Sequence, residues 1–234
     1  MKKIVISLGG SVMVPSLESN NISRYVSVLE RIAEKCRIFI VVGGGGEARR
    51  YIRVARDLGA GEAMADELGI MVTRLNARLL VTGLGDAAYP RVAENYTEAR
   101  EFAGTGKIVV MGGITPAQTT DAVSAVLAES VGADLLINAT SVDGIYSADP
   151  KKDAGAVRHE HLTPEELLDI ITGARMSAGA NTVLDIVAGK VIERSGIPLL
   201  VLDGRDPENL YRAIVEGAFV GTIVSDESSV PLPA

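Results

Sequence analysis

The stretch Ile38-Phe39-Ile40-Val41-Val42-Gly43-Gly44-Gly45-Gly46 joins a run of five apolar residues directly to four consecutive glycines. An apolar run without alternating polar residues predicts a strand that is covered on both faces of a sheet. Four glycines cost more conformational entropy than a simple turn requires. The stretch therefore predicts a buried parallel strand that ends in a turn approached closely by a ligand.

Two further apolar runs end in glycine pairs. Ile4–Leu8 precedes Gly9-Gly10-Ser11, and Ile108–Met111 precedes Gly112-Gly113. A turn from a strand into a helix presents backbone N–H groups and the positive end of the helix dipole, and together these bind anions. Three such turns at one edge of a sheet predict a ligand that is rich in phosphate.

Strand and helix patterns alternate along the rest of the chain. Apolar spacing predicts helices over residues 22–32, 48–58 and 64–80, and the capping box Thr163-Pro164-Glu165-Glu166 predicts another. Further buried strands are predicted over residues 133–139 and 198–202, with a brief strand over 90–95 and a surface connection or short hairpin over 151–161. This alternation predicts an α/β fold with a mainly parallel sheet and helices on both faces.

Composition limits the class of protein. The 234 residues are 47 % hydrophobic, which allows one large α/β domain or two tightly joined lobes. A net charge of −7 argues against a nucleic-acid surface. The single Cys36 excludes an intramolecular disulfide, and no apolar stretch resembles a membrane span or signal core, so we expect a cytoplasmic protein. We predict lobes over residues 1–115 and 116–225, followed by a frayed Ser/Pro-rich tail over 226–234.

Several polar residues are candidates for a phosphate site. Arg49 is predicted in the first turn of a helix, where a cation is disfavoured unless an anion lies nearby. Asp66 is either a helix cap or a ligand for hydroxyl groups, and Thr119-Thr120-Asp121 is either a cap or a polar wall. Asp121 and Asp185 both precede apolar helices. If these two carboxylates converge on a phosphate site, they would organise Mg²⁺ and orient the attacking group.

Two longer segments resemble the amino acid kinase superfamily, and within it the UMP kinases of the archaeal type. One runs from Gly112-Gly113 through Thr119-Thr120-Asp121-Ala122-Val123. The other, Thr140-Ser141-Val142-Asp143-Gly144-Ile145-Tyr146-Ser147-Ala148-Asp149-Pro150, looks like the family's T-N-V-D-G-V-Y-x-A-D-P segment. The resemblance extends from Lys3 to about Val224. It implies a three-layer αβα sandwich whose N-terminal half holds the phosphoryl acceptor and whose C-terminal half holds ATP.

The resemblance also implies an activity, which is transfer of the ATP γ-phosphoryl group to UMP, with Mg²⁺ carried by ATP, in a homohexamer described as a trimer of dimers. The implied ATP contacts are Gly9, Gly10, Gly45, Arg49, Thr140, Ser141, Tyr146 and Asp149. The implied UMP contacts are Gly44, Asp66, Ile114, Thr115, Pro116, Ala117, Gln118, Thr119 and Thr120. The predicted catalytic residues are Asp121, Asp185 and Arg49.

Three departures from the family pattern leave alternatives open. Ser7 stands where many members have lysine, residues 173–179 lack a second family lysine, and Ser141 stands where asparagine is usual. One alternative is a related kinase that acts on acetylglutamate or isopentenyl phosphate. The other is a non-catalytic oligomeric nucleotide sensor. The missing lysines argue against an acetylglutamate kinase, and the absence of histidine near residues 43–46 argues against an isopentenyl phosphate kinase.

Overall fold

The computed structural model describes residues 1–148, 150, 153, 155–176 and 184–226. In this part of the chain, seven strands form one sheet with the order β3-β2-β1-β4-β6-β7-β5. Every neighbouring pair is parallel except β6 and β7. The strands are β1 (Lys3–Leu8), β2 (Arg37–Val42), β3 (Val109–Met111), β4 (Leu135–Thr140), β5 (His161–Leu162), β6 (Leu199–Asp203) and β7 (Gly221–Val224).

Helices cover both faces of the sheet. Alternate residues of β1 belong to two different core layers, with Ile4 and Ile6 in one and Val5 in the other. This is the three-layer α/β fold that the sequence predicted. The helices are α1 (Gly10–Met13), α2 (Ile22–Ala33), α3 (Gly45–Asp57), α4 (Glu62–Leu84), α5 (Tyr96–Ala103), α6 (Thr120–Val131), α7 (Pro164–Met176), α8 (Ile186–Ser195) and α9 (Glu208–Tyr211), with a 3₁₀ turn over Gly85–Ala87 and a π-helical segment over Arg212–Glu216.

The register of the central strands determines where a ligand can bind. Leu8 at the end of β1 pairs with Val42 of β2 on one side and with Ala139 of β4 on the other. Because these strands are parallel, the glycine turns after β1 and β2 emerge beside Thr140 at the same edge of the sheet. Ligands of open α/β sheets bind at this carboxyl edge.

Some local predictions were wrong. Residues 90–95 form no strand; Ala93 makes a single bridge to Met111 instead, and Pro90 has no N–H for a ladder. The short strands β5, at the sheet edge, and β7, beside it, were not predicted. The capping box at α7 is present, because the Thr163 N–H donates to Glu166 Oε2 at 2.7 Å and the Glu166 N–H donates to Thr163 Oγ1 at 3.2 Å.

Within the described ranges, the structure contains no helix that combines the length and the apolarity needed to cross a bilayer.

Candidate functional site

A cleft of about 340 Å³ lies at the carboxyl edge of the sheet. Its walls come from the turns after β1, β2 and β3, from the end of β4, from the starts of α3 and α6 and from one face of α4. Many of the predicted site residues meet there: Gly9, Gly10, Gly44, Gly45, Arg49, Asp66, Thr115, Gln118, Thr119, Thr120, Asp121 and Thr140. The structure therefore brings residues that are distant in sequence to one concave surface.

The first two glycine turns touch each other in the cleft. A Cβ atom on Gly10 would lie 2.3 Å from the Gly43 oxygen and 2.4 Å from the Gly45 nitrogen. Gly45 has a φ of +64°, which disfavours any residue with a side chain. The first N–H groups of α1 and α3 have no carbonyl partner within their own helices, so they are free to receive an anion.

Helix α4 supports these turns from behind. The Asn76 side chain donates to the Gly43 carbonyl at 3.0 Å, and Thr73 Oγ1 accepts from the Gly113 N–H at 2.7 Å. Both residues are buried. Sequence reasoning missed Thr73 and Asn76. Their spacing of three positions, next to the buried apolar residues Val72 and Ala77, places them on the inward face of α4, where a polar side chain needs a hydrogen-bond partner.

Asp66 links α4 to the loop that follows β3. Its Oδ2 accepts from the Ala117 N–H at 2.8 Å, and Ala117 is a non-glycine residue with a φ of +63°. Since α4 begins at Glu62, Asp66 lies in the second turn, and the alternative that it caps the helix is wrong. Ile114 packs against a core layer instead of lining the cleft, and Pro116 and Ala117 also lie outside the lining.

Asp121 lines the cleft, and the charge of Asp185 lies near enough to act on it. Ser7 Oγ donates to Asp121 Oδ1 at 2.9 Å. Burial raises the pKa of Asp121 to about 6; the nearby Asp185 charge adds to this rise, and the Ser7 hydrogen bond opposes it. The Asp121 carboxylate is therefore buried and receives a hydrogen bond from Ser7. Ser7 occupies the position at which many members of the family have a lysine.

Asp185 differs from Asp121 because both of its oxygens bond within the protein. Oδ1 caps α8 by accepting from the Ala188 N–H at 2.9 Å, and Oδ2 accepts from the Thr119 hydroxyl. Thr119 in turn caps α6, with the Ala122 N–H donating to its Oγ1 at 3.1 Å. The pair therefore ties the starts of α6 and α8 together, and only Asp121 of the two aspartates lines the cleft.

Arg49 is an exposed guanidinium at the edge of the cleft. It belongs to the second turn of α3, one turn later than predicted, because the helix begins at Gly45. Its neighbour Arg50 pairs with Glu47 at 2.9 Å, whereas no acidic partner of Arg49 lies among the described residues. Arg49 therefore offers a positive charge that no acidic side chain among the described residues neutralises, close to the helix N-termini of the cleft, and such a charge can bind a phosphate group.

The segment after β4 follows Thr140, which is the last residue of that strand to line the cleft. Ser141 is exposed and Tyr146 is half-buried, and neither lines the cavity. The Tyr146 hydroxyl donates to Asp143 Oδ1 at 2.9 Å, which raises the pKa of Tyr146. Arg158 donates to the other Asp143 oxygen at 2.9 Å. Asp149 lies outside the described residues.

The carboxylates of this cleft can hold a magnesium ion only when a bound nucleotide supplies phosphate oxygens as further ligands. Among the described residues there is no group of three or more His, Cys, Asp or Glu side chains that could hold a metal. Mg²⁺ in phosphoryl-transfer sites is commonly held by one or two carboxylates plus substrate phosphates. Asp121 meets that requirement when a nucleotide brings the phosphates.

Residues 2–203 match the amino acid kinase family, and the chain belongs to that family. Within it, the chain is 87 % identical to a uridylate kinase of Methanoculleus marisnigri over 234 residues, covering 100 % of both chains. It is 61 % identical to the uridylate kinase of Methanospirillum hungatei, over 100 % of this chain and 99 % of that one. The chain thus groups with the uridylate kinases, as the sequence resemblance predicted.

Solved structures agree with this grouping. The crystal structure of uridylate kinase from Archaeoglobus fulgidus matches with a TM-score of 0.86 and 45 % identity, covering 96 % of this chain and 100 % of that one. UMP kinase from Ureaplasma parvum matches with a TM-score of 0.81 at 24 % identity, covering 96 % and 99 %. The second match supports the fold alone.

Proposed function

We propose that this chain transfers the γ-phosphoryl group of ATP to UMP and releases ADP and UDP. The observation that carries the proposal is the contact between Gly10 and Gly45, which places two anion-binding helix starts side by side in one cleft. A single nucleotide needs one such turn, whereas two phosphate chains that meet end to end need two. The uridylate kinases at 87 % and 61 % identity support UMP as the acceptor.

The sheet order supports a division of labour between two lobes. Strands β1 to β3, from residues 1–115, occupy one side of the sheet, and β4 to β7, from residues 116–225, occupy the other. We assign UMP to the first side, where Gly44 and Asp66 lie with the loop over residues 114–120. We assign ATP to the second side, along Thr140, Ser141 and Tyr146, with its phosphates at Gly9 and Gly10.

The chemistry requires positioning and charge stabilisation. A UMP phosphate oxygen forms the new bond to the γ-phosphorus, and the bond from that phosphorus to the β–γ bridging oxygen breaks as ADP leaves. The attacking oxygen is already ionised near neutral pH, so no strong general base is needed. Backbone N–H groups and Arg49 neutralise the two anions. Mg²⁺ bound to ATP would shield the transferred charge, and Asp121 would hold its ligand sphere.

A substrate panel tests this function. With ATP and Mg²⁺, we expect ADP to form with UMP and not with acetylglutamate or isopentenyl phosphate in a coupled assay. Arg49→Ala should lower kcat/KM by about 10²-fold, because one preorganised charge is lost. The matched control Arg50→Ala removes only the exposed pair with Glu47 and should retain activity. Turnover with another acceptor alone, or ATP binding without turnover of any acceptor, contradicts the proposal.

We also propose that the chain assembles as a homohexamer, arranged as a trimer of dimers, and that α3 and α4 provide the dimer contact. These two packed helices present large apolar side chains to solvent, and Leu75 is 63 % exposed. Such a surface is typical of an interface between subunits. Its members are Tyr51, Val54, Leu58, Met64, Met71, Leu75 and Leu79. In the isolated chain all seven side chains are exposed to solvent.

Charge placed on this face should prevent assembly. Leu75→Glu buries a carboxylate in the proposed contact, so sedimentation velocity should show a smaller species than the hexamer of the unchanged protein. Val187→Glu is the matched control, because Val187 is also an exposed apolar residue on a helix but belongs to α8. The proposal fails if the L75E variant keeps the hexameric mass or if V187E dissociates equally.

A further inference from the structure

Tyr146 belongs to a small hairpin beside β7, and the second strand of the hairpin leads directly into β5. Tyr146 and Arg158 form an antiparallel bridge. On either side of it, the His159 N–H donates to the Ile145 carbonyl at 2.9 Å, and the Ser147 N–H donates to the Val157 carbonyl at 2.9 Å. A pairing of two hydrogen bonds does not make a stable unit alone, so the hairpin depends on contacts with the body of the protein.

The hydroxyl of Thr222 provides such a contact. Thr222 lies on β7 and is completely buried, with 0 % exposure. Its Oγ1 accepts from the Ile145 N–H at 2.8 Å and donates to the His159 carbonyl at 2.6 Å. One side chain therefore bonds to both strands of the hairpin and uses its donor and an acceptor position at once.

The packing around this hydroxyl is tight. Gly144 has a φ of +151°, and a Cβ atom there would lie 2.6 Å from Thr222 Oγ1 and 2.7 Å from the Arg158 Cδ. The residue before the hairpin must therefore be glycine for the hydroxyl to reach the Ile145 N–H. The hairpin and β7 are fitted to each other by contact as well as by hydrogen bonds.

We propose that Thr222 is a positioning residue for ATP, which acts by holding the Tyr146 hairpin in register with the end of β4. This inference rests on the proposed function, in which Ser141 and Tyr146 hold the adenine nucleotide. Valine has the shape of threonine without the hydroxyl, so Thr222→Val removes the hydrogen-bond partner of a buried N–H and of a partly buried carbonyl. The hairpin then shifts to satisfy them, while the UMP side, which is supported by α4, does not change.

Steady-state kinetics on the full chain test this positioning role. Thr222→Val should raise the KM for ATP about tenfold and change the KM for UMP less than about twofold, because a lost buried hydrogen bond of this type costs about one decade in affinity. Thr222→Ser keeps the hydroxyl and should restore the KM for ATP. Thr222→Cys carries a weaker donor and acceptor and should give an intermediate value, which is measurable even if T222V does not fold.

The outcomes separate a positioning role from simple stabilisation. The proposal is overturned if T222V lowers the melting temperature and leaves both KM values unchanged, or if it raises both KM values equally. It is also overturned if the serine variant is as impaired as the valine variant, or if the cysteine variant has an unchanged KM for ATP. If the unchanged protein does not phosphorylate UMP, the proposed function fails by itself. Calorimetric titration of ATP into the same variants then still decides whether Thr222 controls the ATP site.

Discussion

Asp121→Asn is expected to lower kcat by about 10²- to 10³-fold while the KM values for ATP and UMP change little. The amide keeps the size of the carboxylate and still accepts from Ser7 Oγ, so the floor of the cleft retains its shape. The substitution removes the one negative charge of the aspartate pair that lines the cleft. Initial rates with both substrates varied measure the effect. Asp134→Asn is the control, because Asp134 is exposed and immediately precedes β4, at the opposite end of that strand from the cleft. Unchanged turnover in D121N would remove Asp121 from the mechanism.

The pH dependence provides an independent check on the same residue. Burial raises the pKa of Asp121 to about 6, so kcat/KM of the free enzyme should fall as the pH falls through 6 and the carboxylate takes up a proton. D121N should lose the part of this limb that Asp121 contributes, whereas the part that comes from protonation of the UMP phosphate, whose second pKa is about 6, should remain.

Stability should change in the opposite direction from activity. The folded-state pKa of Asp121 is raised, so its contribution to stability is complete below the unfolded pKa near 3.8 and is lost as the pH rises through about 6. At pH 8 the ionised buried carboxylate costs up to about 3 kcal/mol. Urea unfolding should therefore find D121N more stable at pH 8 by about 1–2 kcal/mol, with the gain shrinking at pH 5. Such a trade between activity and stability is common at functional sites.

The sequence predicted the sheet and the glycine turns because both depend on local patterns. The apolar run over residues 38–42 can only be a covered strand, and the parallel register of β1, β2 and β4 then brings their ends together. Spacing alone did not establish that Asp121 meets the glycine turns; the structure brings Asp121 and Arg49 into one cleft. The family resemblance added UMP and ATP, which the glycine turns by themselves do not specify.

Residues that act through tertiary contacts were not predictable in this way. Asn76 and Thr73 hold the turns from a helix whose rotation depends on packing, and Thr222 reaches a hairpin 77 residues away from it in sequence. Edge strand β5 has two residues and gives no periodicity to detect. Contacts between residues that are distant in sequence leave no mark on the local pattern of apolar and polar residues, because they form only when the chain folds.

The glycine run itself shows where sequence and structure differ. The run of four glycines suggested that all four positions require a residue without a side chain. A Cβ atom added at each glycine would, however, meet different surroundings. At Gly43, Gly44 and Gly45 the nearest atoms would lie at 2.7, 2.3 and 2.7 Å. At Gly46 the nearest atom would be the Pro15 oxygen at 3.6 Å, an ordinary contact. The run therefore contains three crowded positions and one that tolerates a side chain.

Gly10→Ala is expected to cause the largest loss of activity, about 10³-fold in kcat/KM, together with about 1–3 kcal/mol of stability. The new methyl group would meet the backbone of Gly43 and Gly45, which cannot turn aside as a flexible side chain can. The two turns must separate, and their N–H groups then no longer face two phosphates at bonding distance. Steady-state kinetics and urea unfolding measure both losses.

Gly46→Ala is the matched control for this substitution, because it adds the same methyl group to the neighbouring turn without a clash. Alanine is also favoured over glycine inside a helix, so G46A should keep its activity and gain up to about 1 kcal/mol of stability. The comparison isolates the contact between the turns from the general effect of adding a methyl group to a glycine-rich loop. If G10A retained the activity of G46A, the meeting of the two turns would not set the distance between donor and acceptor phosphates. The transfer geometry would then have to come from Arg49 and Asp121 alone.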